Sequence, residues 1–299
     1  LAAAAIAVAA IASPITLAAA SQDPNPPWPQ LLPPRPLTDS TQPGPVPRCH
    51  RATMRCFSDT IRKMRKLRAR LGCDHRAVFA TTYLLLTEQM RDTIRRQPHI
   101  FEDRRWLIYE DTVFANFYFS VMRSYDRGKP IPGAWKVAFD TARTGDANGG
   151  QDMLLGINAH VQRDMPFVLA TVGVRTKSGA TRKPDHDVVN QILSDAYEPI
   201  VSAIGQRYDS IVTITNASWN PIDDIAGLEV VKGWREGVWR NAERLLDAKT
   251  AADRRQVSDS IETNAATWAS LIASGQVPPG YRAQRDAYCA AGGAGAGAG

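Results

Sequence analysis

The stretch that decides the fold class is residues 54–71, which have the sequence MRCFSDTIRKMRKLRARL. Its apolar side chains recur every three or four positions, at Met54, Phe57, Ile61, Met64, Leu67 and Leu71. An α-helix has about 3.6 residues per turn, so this spacing places the apolar side chains on one face. The stretch therefore predicts an amphipathic helix that packs one face against the rest of the protein.

The same periodicity continues along most of the chain. It predicts further helices at about residues 75–96, 103–127, 132–144, 150–173, 186–206, 223–248 and 250–274, with glycine and proline between several of them. Residues 210–215 alternate apolar side chains as a strand does, but a single strand makes no sheet. We therefore expect an all-α protein that forms an irregular multi-helix bundle in a single domain.

Three segments around this helical body have a different composition. Residues 1–20 are apolar and uncharged, which is typical of a signal peptide, here clipped at its start; a membrane anchor is the disfavoured alternative. In residues 21–48, ten of the 28 positions are proline, which predicts an extended linker. Residues 289–299 form a tail of alanine and glycine after Cys289. We expect a helical domain at 49–288 and a protein that is secreted or held in the cell envelope.

The cysteine count agrees with export. The chain has four cysteines, Cys49, Cys56, Cys73 and Cys289, and an even number in an exported protein predicts two disulfides with three possible pairings. We expect Cys49 and Cys56 to close a small loop, which leaves Cys73 to tie the C-terminal end to the second helix. The spacing contains no CxxC pair, which disfavours a zinc site built on cysteine.

Basic residues crowd the first predicted helix, at Arg62, Lys63, Arg65, Lys66, Arg68 and Arg70. The formal net charge of the chain is +6, and such a helix face attracts anionic lipid or acidic cell-envelope material. The alternative, which we favour, is a solvated face. No aromatic residue interleaves with these charges, so we expect no nucleic-acid partner. No later stretch is apolar enough to predict a transmembrane span.

Residues 154–167, with the sequence LLGINAHVQRDMPF, place a histidine and a carboxylate inside an apolar helical stretch. His160 and Asp164 lie four positions apart and so share one helix face. A divalent metal explains this pair, because a buried carboxylate is costly unless it is paired or coordinated. We expect metal ligands at five positions in or beside apolar helices: His75, Asp111, His160, Asp164 and His186.

Two other interpretations of these residues stay open. The pair of His160 and Asp164 and the acids around His186 can be structural, through ion pairs and helix capping. They can also form a catalytic couple of histidine and aspartate that uses no metal.

Four blocks of sequence carry a resemblance to a known family. They are Cys73-Asp74-His75, residues 154–167, residues 183–190, and Trp234-Arg235-Glu236 with Trp239-Arg240-Asn241-Ala242. Together they resemble a family of exported helical proteins of actinobacteria, the domain of unknown function 5995. The resemblance covers nearly all of the helical body and implies no particular activity.

The helix that contains His160 is also similar, more weakly, to the zinc-dependent phospholipase C and P1 nuclease group. The core helix of that group has the form Gly-x-x-x-His-x-x-x-Asp followed by a proline, and Gly156, His160, Asp164 and Pro166 approximate it. The resemblance implies that His75, Asp111 and His186 supply further ligands. Asn190 replaces the last acid of the group, so one or two metals are implied rather than three.

These observations predict an exported metal-dependent hydrolase that acts on an ester or phosphoester, with zinc as the expected metal and iron as the alternative. A bound zinc ion lowers the pKa of its water to about 7. Asp111 would be a ligand or general base, and Asp187 would be a catalytic residue that orients the site. The alternatives are a non-catalytic protein that binds or supports the cell envelope, and a helical redox protein that holds iron.

Overall fold

The residues that this computed structural model describes are 49, 51–215 and 221–293, with side chains at all of these positions except 213–227. The predicted signal peptide at 1–20 and the predicted linker at 21–48 lie outside this range. In the described part the chain is helical and has no strand, so the predicted all-α, single-domain bundle is confirmed.

The helices follow one another closely along the chain. Their bounds are α1 Met54–Leu71, α2 Arg76–Arg96, α3 Arg104–Asp126, α4 Gly133–Thr144, α5 Gly149–Asn158, a π-helical segment Ala159–Asp164, α6 Met165–Val172, α7 Lys183–Arg207, α8 Ser210–Thr215, α9 Pro221–Asp247, α10 Ala251–Ala273 and α11 Tyr281–Ala290.

Helix α2 lies at the centre of the bundle, because every side chain from Ala77 to Leu84 is buried. It packs against α1, α5 and α7. The π-helical segment is enclosed from other sides by α9 and α10. A helix that is buried on several faces holds its side chains in fixed positions, so α2 and the π-helical segment form a rigid frame.

Gly156 allows α5 to approach α2 closely. A Cβ atom at this position would overlap the ring of Phe79 on α2, so any larger residue would push the two helices apart. The missing side chain at Gly156 therefore leaves room for the Phe79 ring, whose centroid lies 5.8 Å from that of the His160 ring.

Two sequence-based expectations about local structure were wrong. Residues 210–215 form helix α8 rather than a strand; this apolar run is too short for its periodicity to separate the two, and Val212 is buried against α7. Helix α11 was not predicted, and it continues through Cys289 and Ala290, where we expected the tail to begin.

Both predicted disulfides are present, between Cys49 and Cys56 and between Cys73 and Cys289. The second one joins the end of α11 to the residues just before α2. Disulfides of this kind are typical of oxidising compartments. Secretion or attachment to the cell envelope stays a prediction.

The basic face of α1 is exposed along its whole length, while Phe57, Ile61, Met64 and Leu67 are buried on the opposite face. Several of its arginines pair with carboxylates, as Arg65 does with Glu88. This arrangement suits the solvated face that we favour. No described helix is long and apolar enough to cross a membrane.

Candidate active site

A π-helical segment interrupts the helix in which the sequence places His160 and Asp164. It spans Ala159–Asp164, and the backbone N–H of Met165 donates to the carbonyl of His160. Pro166 lies in the first turn of the helix that follows and has no backbone N–H to donate to an earlier carbonyl. Such π-helical turns are common at functional sites.

His160 and Asp164 bond directly to each other. The Nδ1 atom of His160 lies 3.1 Å from Oδ2 of Asp164, and both side chains are buried. Asp164 also accepts hydrogen bonds from Nε1 of Trp135 and from Arg163, each at 2.9 Å. Tryptophan and arginine only donate, so the Asp164 oxygens act as acceptors and Nδ1 of His160 carries the proton.

A buried ion pair supports this arrangement from behind. Nε of Arg163 donates to Glu262 on α10 at 2.7 Å, while Nη1 of Arg163 holds Asp164. Burial acts to lower the pKa of Arg163, but the charges of Glu262 and Asp164 outweigh it, so the pKa is raised. Arg163 is therefore part of a buried cluster and does not face solvent.

The imidazole ring of His160 is surrounded by aromatic rings. The Phe114 ring stacks on it at 3.5 Å between centroids, and the Tyr83 centroid lies 4.6 Å away. Burial in these surroundings lowers the pKa of His160, although Asp164 opposes the shift. The ring is therefore uncharged at neutral pH, and its Nε2 atom carries a lone pair.

His160 lines an apolar cavity of about 260 Å³. Its walls come from α2, α3, α5, α7, α9 and the start of the π-helical segment. The residues that line it with His160 are Phe79, Thr82, Tyr83, Leu86, Phe114, Gly150, Met153, Leu154, Ile157, Val161, Leu193, Tyr197, Ile200, Leu228 and Val231. Concave, mostly apolar cavities with few polar groups are the usual form of a small-molecule site. We call this space the apolar cavity.

A smaller space of about 60 Å³ shares Tyr83, Phe114 and other wall residues with the apolar cavity. Four of its lining residues are ionisable groups that the apolar cavity lacks: Glu110, Asp111, His186 and Arg235. We call it the polar cavity. Tyr83 therefore stands at the junction between an apolar space and a polar one.

Four buried atoms of residues that line the two cavities have no hydrogen-bond partner within the described part of the chain: Nε2 of His160, the hydroxyl of Tyr83, Oδ2 of Asp111 and Nε1 of Trp106. Buried polar groups are nearly always paired in folded proteins, because an unpaired one costs about 1–3 kcal/mol. Four such atoms around one pair of cavities indicate a place where a ligand or water is bound.

Burial favours the uncharged forms of the acids in the polar cavity. Burial raises the pKa of Asp111 well above its usual range, and the charge of Glu110 adds to the effect. Burial also raises the pKa of Glu110 to about 7, against the influence of Arg235. The hydroxyl of Tyr83 keeps its proton, because burial and then the charges of Asp111, Glu110 and Asp164 raise its pKa.

Replacing Glu110 with glutamine should make the protein more stable at pH 8 than the wild type by about 3 kcal/mol. The folded-state pKa of Glu110 is raised from 4.5 to about 7, so the folded protein keeps a proton that the unfolded chain has lost. Wild-type stability should therefore fall as the pH rises from about 4.5 to about 7, and Glu110→Gln should flatten this slope. Urea unfolding at several pH values measures the effect.

The control for this measurement is Glu229→Gln, since the Glu229 side chain is exposed and pairs with Lys232. An exposed ion pair contributes about 0–1 kcal/mol, so this variant should keep the wild-type pH dependence. A Glu110→Gln variant with an unchanged slope would show that Glu110 is ionised in the folded protein.

The structure does not bring the five predicted metal ligands together. His75 lies at the start of α2, where Nδ1 bonds to Asp152 at 2.7 Å and Nε2 is 3.4 Å from Asp286, and it lines a different pocket. Asp111 and His186 line the polar cavity, and His160 and Asp164 bond to each other.

The donor set does not fit a shared metal site. Both oxygens of Asp164 are engaged by Trp135, His160 and Arg163. Within residues 49, 51–215 and 221–293, no group of three or more His, Cys, Asp or Glu side chains is arranged to hold a metal ion. Nε2 of His186 donates to the carbonyl of Arg235. The metal and its identity stay a prediction.

Asp187, which we expected to be catalytic, lies on the surface. Its carboxylate pairs with Lys183 at 2.7 Å, and nearly half of its side chain is exposed. It does not line either cavity. Asp187 therefore forms a surface ion pair with Lys183, which lies one turn before it on α7.

Sequence reasoning missed several residues of this site. Tyr83 and Trp135 belong to apolar stripes and are not distinguishable from other core aromatics. Arg235 is buried and donates to the carbonyl of His186 and to Asn190, and nothing in its sequence context indicates these partners. The signals that pointed here were the spacing of His160 and Asp164 and the acid Asp111 in an apolar helix.

Comparison with known proteins gives one match. Residues 57–275 match the sequence profile of a family described only as a family of unknown function, DUF5995. No curated protein and no solved structure matches the chain. The weaker resemblance to phospholipase C and P1 nuclease stays an interpretation of one helix.

Proposed function

We propose that the chain, which belongs to the DUF5995 family, hydrolyses neutral carboxylic esters with His160 as the general base. The observation that carries the proposal is the Nε2 atom of His160. It belongs to an uncharged imidazole that Asp164 orients through Nδ1, it has no partner among the described side chains, and the ring lines an apolar cavity. A base with this geometry and a lowered pKa is suited to proton transfer near neutral pH.

The reaction begins with a water molecule at Nε2 of His160. Nε2 takes a proton from the water while the water oxygen attacks the ester carbonyl carbon. The π electrons of the carbonyl bond move to the carbonyl oxygen. The tetrahedral intermediate then collapses, the carbon–oxygen bond to the alcohol breaks, and the alcohol oxygen takes the proton from Nε2. Asp164 stabilises the imidazolium that exists between these two steps.

Two neutral donors that line the polar cavity suit the negative charge that develops on the carbonyl oxygen. The Tyr83 hydroxyl is buried and unpaired, and its ring lies beside His160. The Asp111 carboxyl in the polar cavity is protonated because its pKa is raised by burial and then by Glu110. Donors in an apolar site act strongly on a developing charge, and a neutral acid can serve as one of them.

This mechanism gives Asp164 a different role from the one that the sequence indicated. Its oxygens accept from three donors, so it orients His160 and does not need a metal to offset its burial. The proposal thus keeps ester hydrolysis and adopts the catalytic couple of histidine and aspartate that was the alternative to metal ligation.

Replacing Tyr83 with phenylalanine should lower kcat for ethyl octanoate by about 10²–10³, as removal of one oxyanion donor does in other hydrolases. Titration of the released acid measures the rate, with and without a chelator, and the chelator should have no effect. The matched control is Tyr118→Phe. The Tyr118 hydroxyl is also buried and unpaired in the described structure, but Tyr118 does not line either cavity.

Equal rates for the two tyrosine variants would show that Tyr83 takes no part in the reaction. No hydrolysis of any neutral ester above the buffer rate would overturn the proposed function. Loss of activity on addition of the chelator would instead support the metal-dependent mechanism that the sequence predicts.

A further inference from the structure

We infer that the apolar cavity binds the acyl group of the substrate, and that this group is an unbranched, uncharged hydrocarbon chain of about eight carbons. The inference rests on the proposed function, because it places the ester carbonyl at the junction beside Tyr83 and His160. The rest of the acyl group then extends away from the polar cavity.

The shape of the cavity indicates a linear chain. Its wall on α5 and the π-helical segment consists of Gly150, Met153, Leu154, Ile157 and His160, which lie three or four positions apart and so form one helix face. The rise of a helix is about 1.5 Å per residue, so the ten steps from Gly150 to His160 extend over roughly 15 Å. An elongated space that follows a helix face accommodates an extended chain better than a ring.

The opposite walls are arranged in the same way. Leu193, Tyr197 and Ile200 are spaced along one face of α7, and Phe79, Tyr83 and Leu86 along α2. Three helix faces therefore extend along the cavity, and Phe114 of α3 with Leu228 and Val231 of α9 completes the lining. His160 and Tyr83 are among its polar members.

The chemistry of the lining indicates an uncharged chain. No Lys, Arg, Asp or Glu lines the apolar cavity among the described residues. The hydroxyl of Thr82 donates to the carbonyl of Val78 within its own helix, so it is not free for a ligand. A charged group at the far end of the chain would be buried without a partner, which is costly.

The volume sets the length of the chain. The cavity measures about 260 Å³, and a methylene group occupies about as much space as a water molecule, roughly 30 Å³. Eight or so carbons therefore fill it. Each methylene that leaves water should tighten binding by about fourfold until the cavity is full.

The test uses methyl alkyl ketones, which are neutral, resemble the ester carbonyl and cannot be hydrolysed. Calorimetry on the wild-type protein should show the dissociation constant falling by about fourfold per methylene and levelling at chains of about eight carbons. Fatty acids of the same length are ionised at pH 8, and moving their carboxylate from water into this buried site is costly, so they should bind more weakly than the ketones.

Two variants at Leu154 move the limit in opposite directions. Leu154 lies six residues before His160 on the cavity wall, away from the junction. Leu154→Phe should shorten the chain length at which the dissociation constant stops falling. Leu154→Ala should lengthen it by roughly two or three carbons, because the substitution removes about that many carbons from the cavity wall. A variant that only destabilised the fold would weaken all chain lengths alike.

The outcomes separate this inference from the proposed function. Dissociation constants that do not depend on chain length, or a limit that stays the same in both Leu154 variants, would overturn the inference. If kcat/KM for ethyl esters from butyrate to myristate also shows no preference for a chain length, the protein hydrolyses esters but the apolar cavity does not select the acyl group. If no ester is hydrolysed but the ketone series follows the expected pattern, the cavity binds such chains and the proposed function fails.

Discussion

Replacing Asp164 with asparagine is expected to lower kcat for ester hydrolysis by about 10⁴-fold, as removal of the orienting acid does in other enzymes with a histidine base. In the wild type, Asp164 accepts from Nδ1 of His160, which leaves the lone pair on Nε2. An asparagine amide can donate to Nδ1 instead, which moves the imidazole proton to Nε2. The base then has no lone pair at the position that faces the substrate.

The same loss is expected from His160→Gln, and the two changes together should cost little more than either one, because they act as a unit. The matched control is Glu262→Gln, which weakens the ion pair with Arg163 but leaves the bond between His160 and Asp164 in place. Thermal unfolding of each variant shows whether it is folded. A folded Asp164→Asn variant that keeps more than a tenth of the wild-type kcat would contradict the role of Asp164.

Removing the disulfide between Cys73 and Cys289 by a double serine substitution is expected to lower the free energy of unfolding by about 5 kcal/mol. The two cysteines are 216 positions apart, so the disulfide joins nearly the whole folded body into one loop. A crosslink acts mainly by restricting the unfolded chain, and the restriction increases with the length of the loop. A loss of this size is a large fraction of the stability of a typical domain.

The matched control is the double serine substitution of Cys49 and Cys56, which are seven positions apart. The same loop-length relation gives about 2 kcal/mol for this short loop. Denaturant unfolding under non-reducing conditions measures both values. Equal losses would mean that the long disulfide acts through local contacts, such as the hydrogen bond from Arg285 to the carbonyl of Cys73, rather than through chain entropy.

The helical architecture was largely predictable because its signals are local. The apolar stripe of α1 is visible in the spacing of Phe57, Ile61, Met64 and Leu67, and these are the residues that the structure buries. The disulfide pairing followed from the loop that Cys49 and Cys56 can close. Residues 210–215 show the limit of such reasoning, because six residues are too few for periodicity to distinguish a helix from a strand.

The candidate site was predictable only in part. The sequence by itself determined that His160 and Asp164 share a helix face and that acids lie inside an apolar helix at Glu110 and Asp111. It could not show that Asp164 bonds to Trp135, because Trp135 comes from a different helix.

The tertiary structure alone decided that His160 bonds to Asp164 beside a cavity and that Asp187 and His75 lie elsewhere. It also decided that the Tyr83 hydroxyl and Oδ2 of Asp111 have no hydrogen-bond partner in the described part of the chain. The physical reason is that helical periodicity depends on near neighbours in the chain. Cavities, burial and unpaired polar atoms depend instead on how distant helices pack against one another.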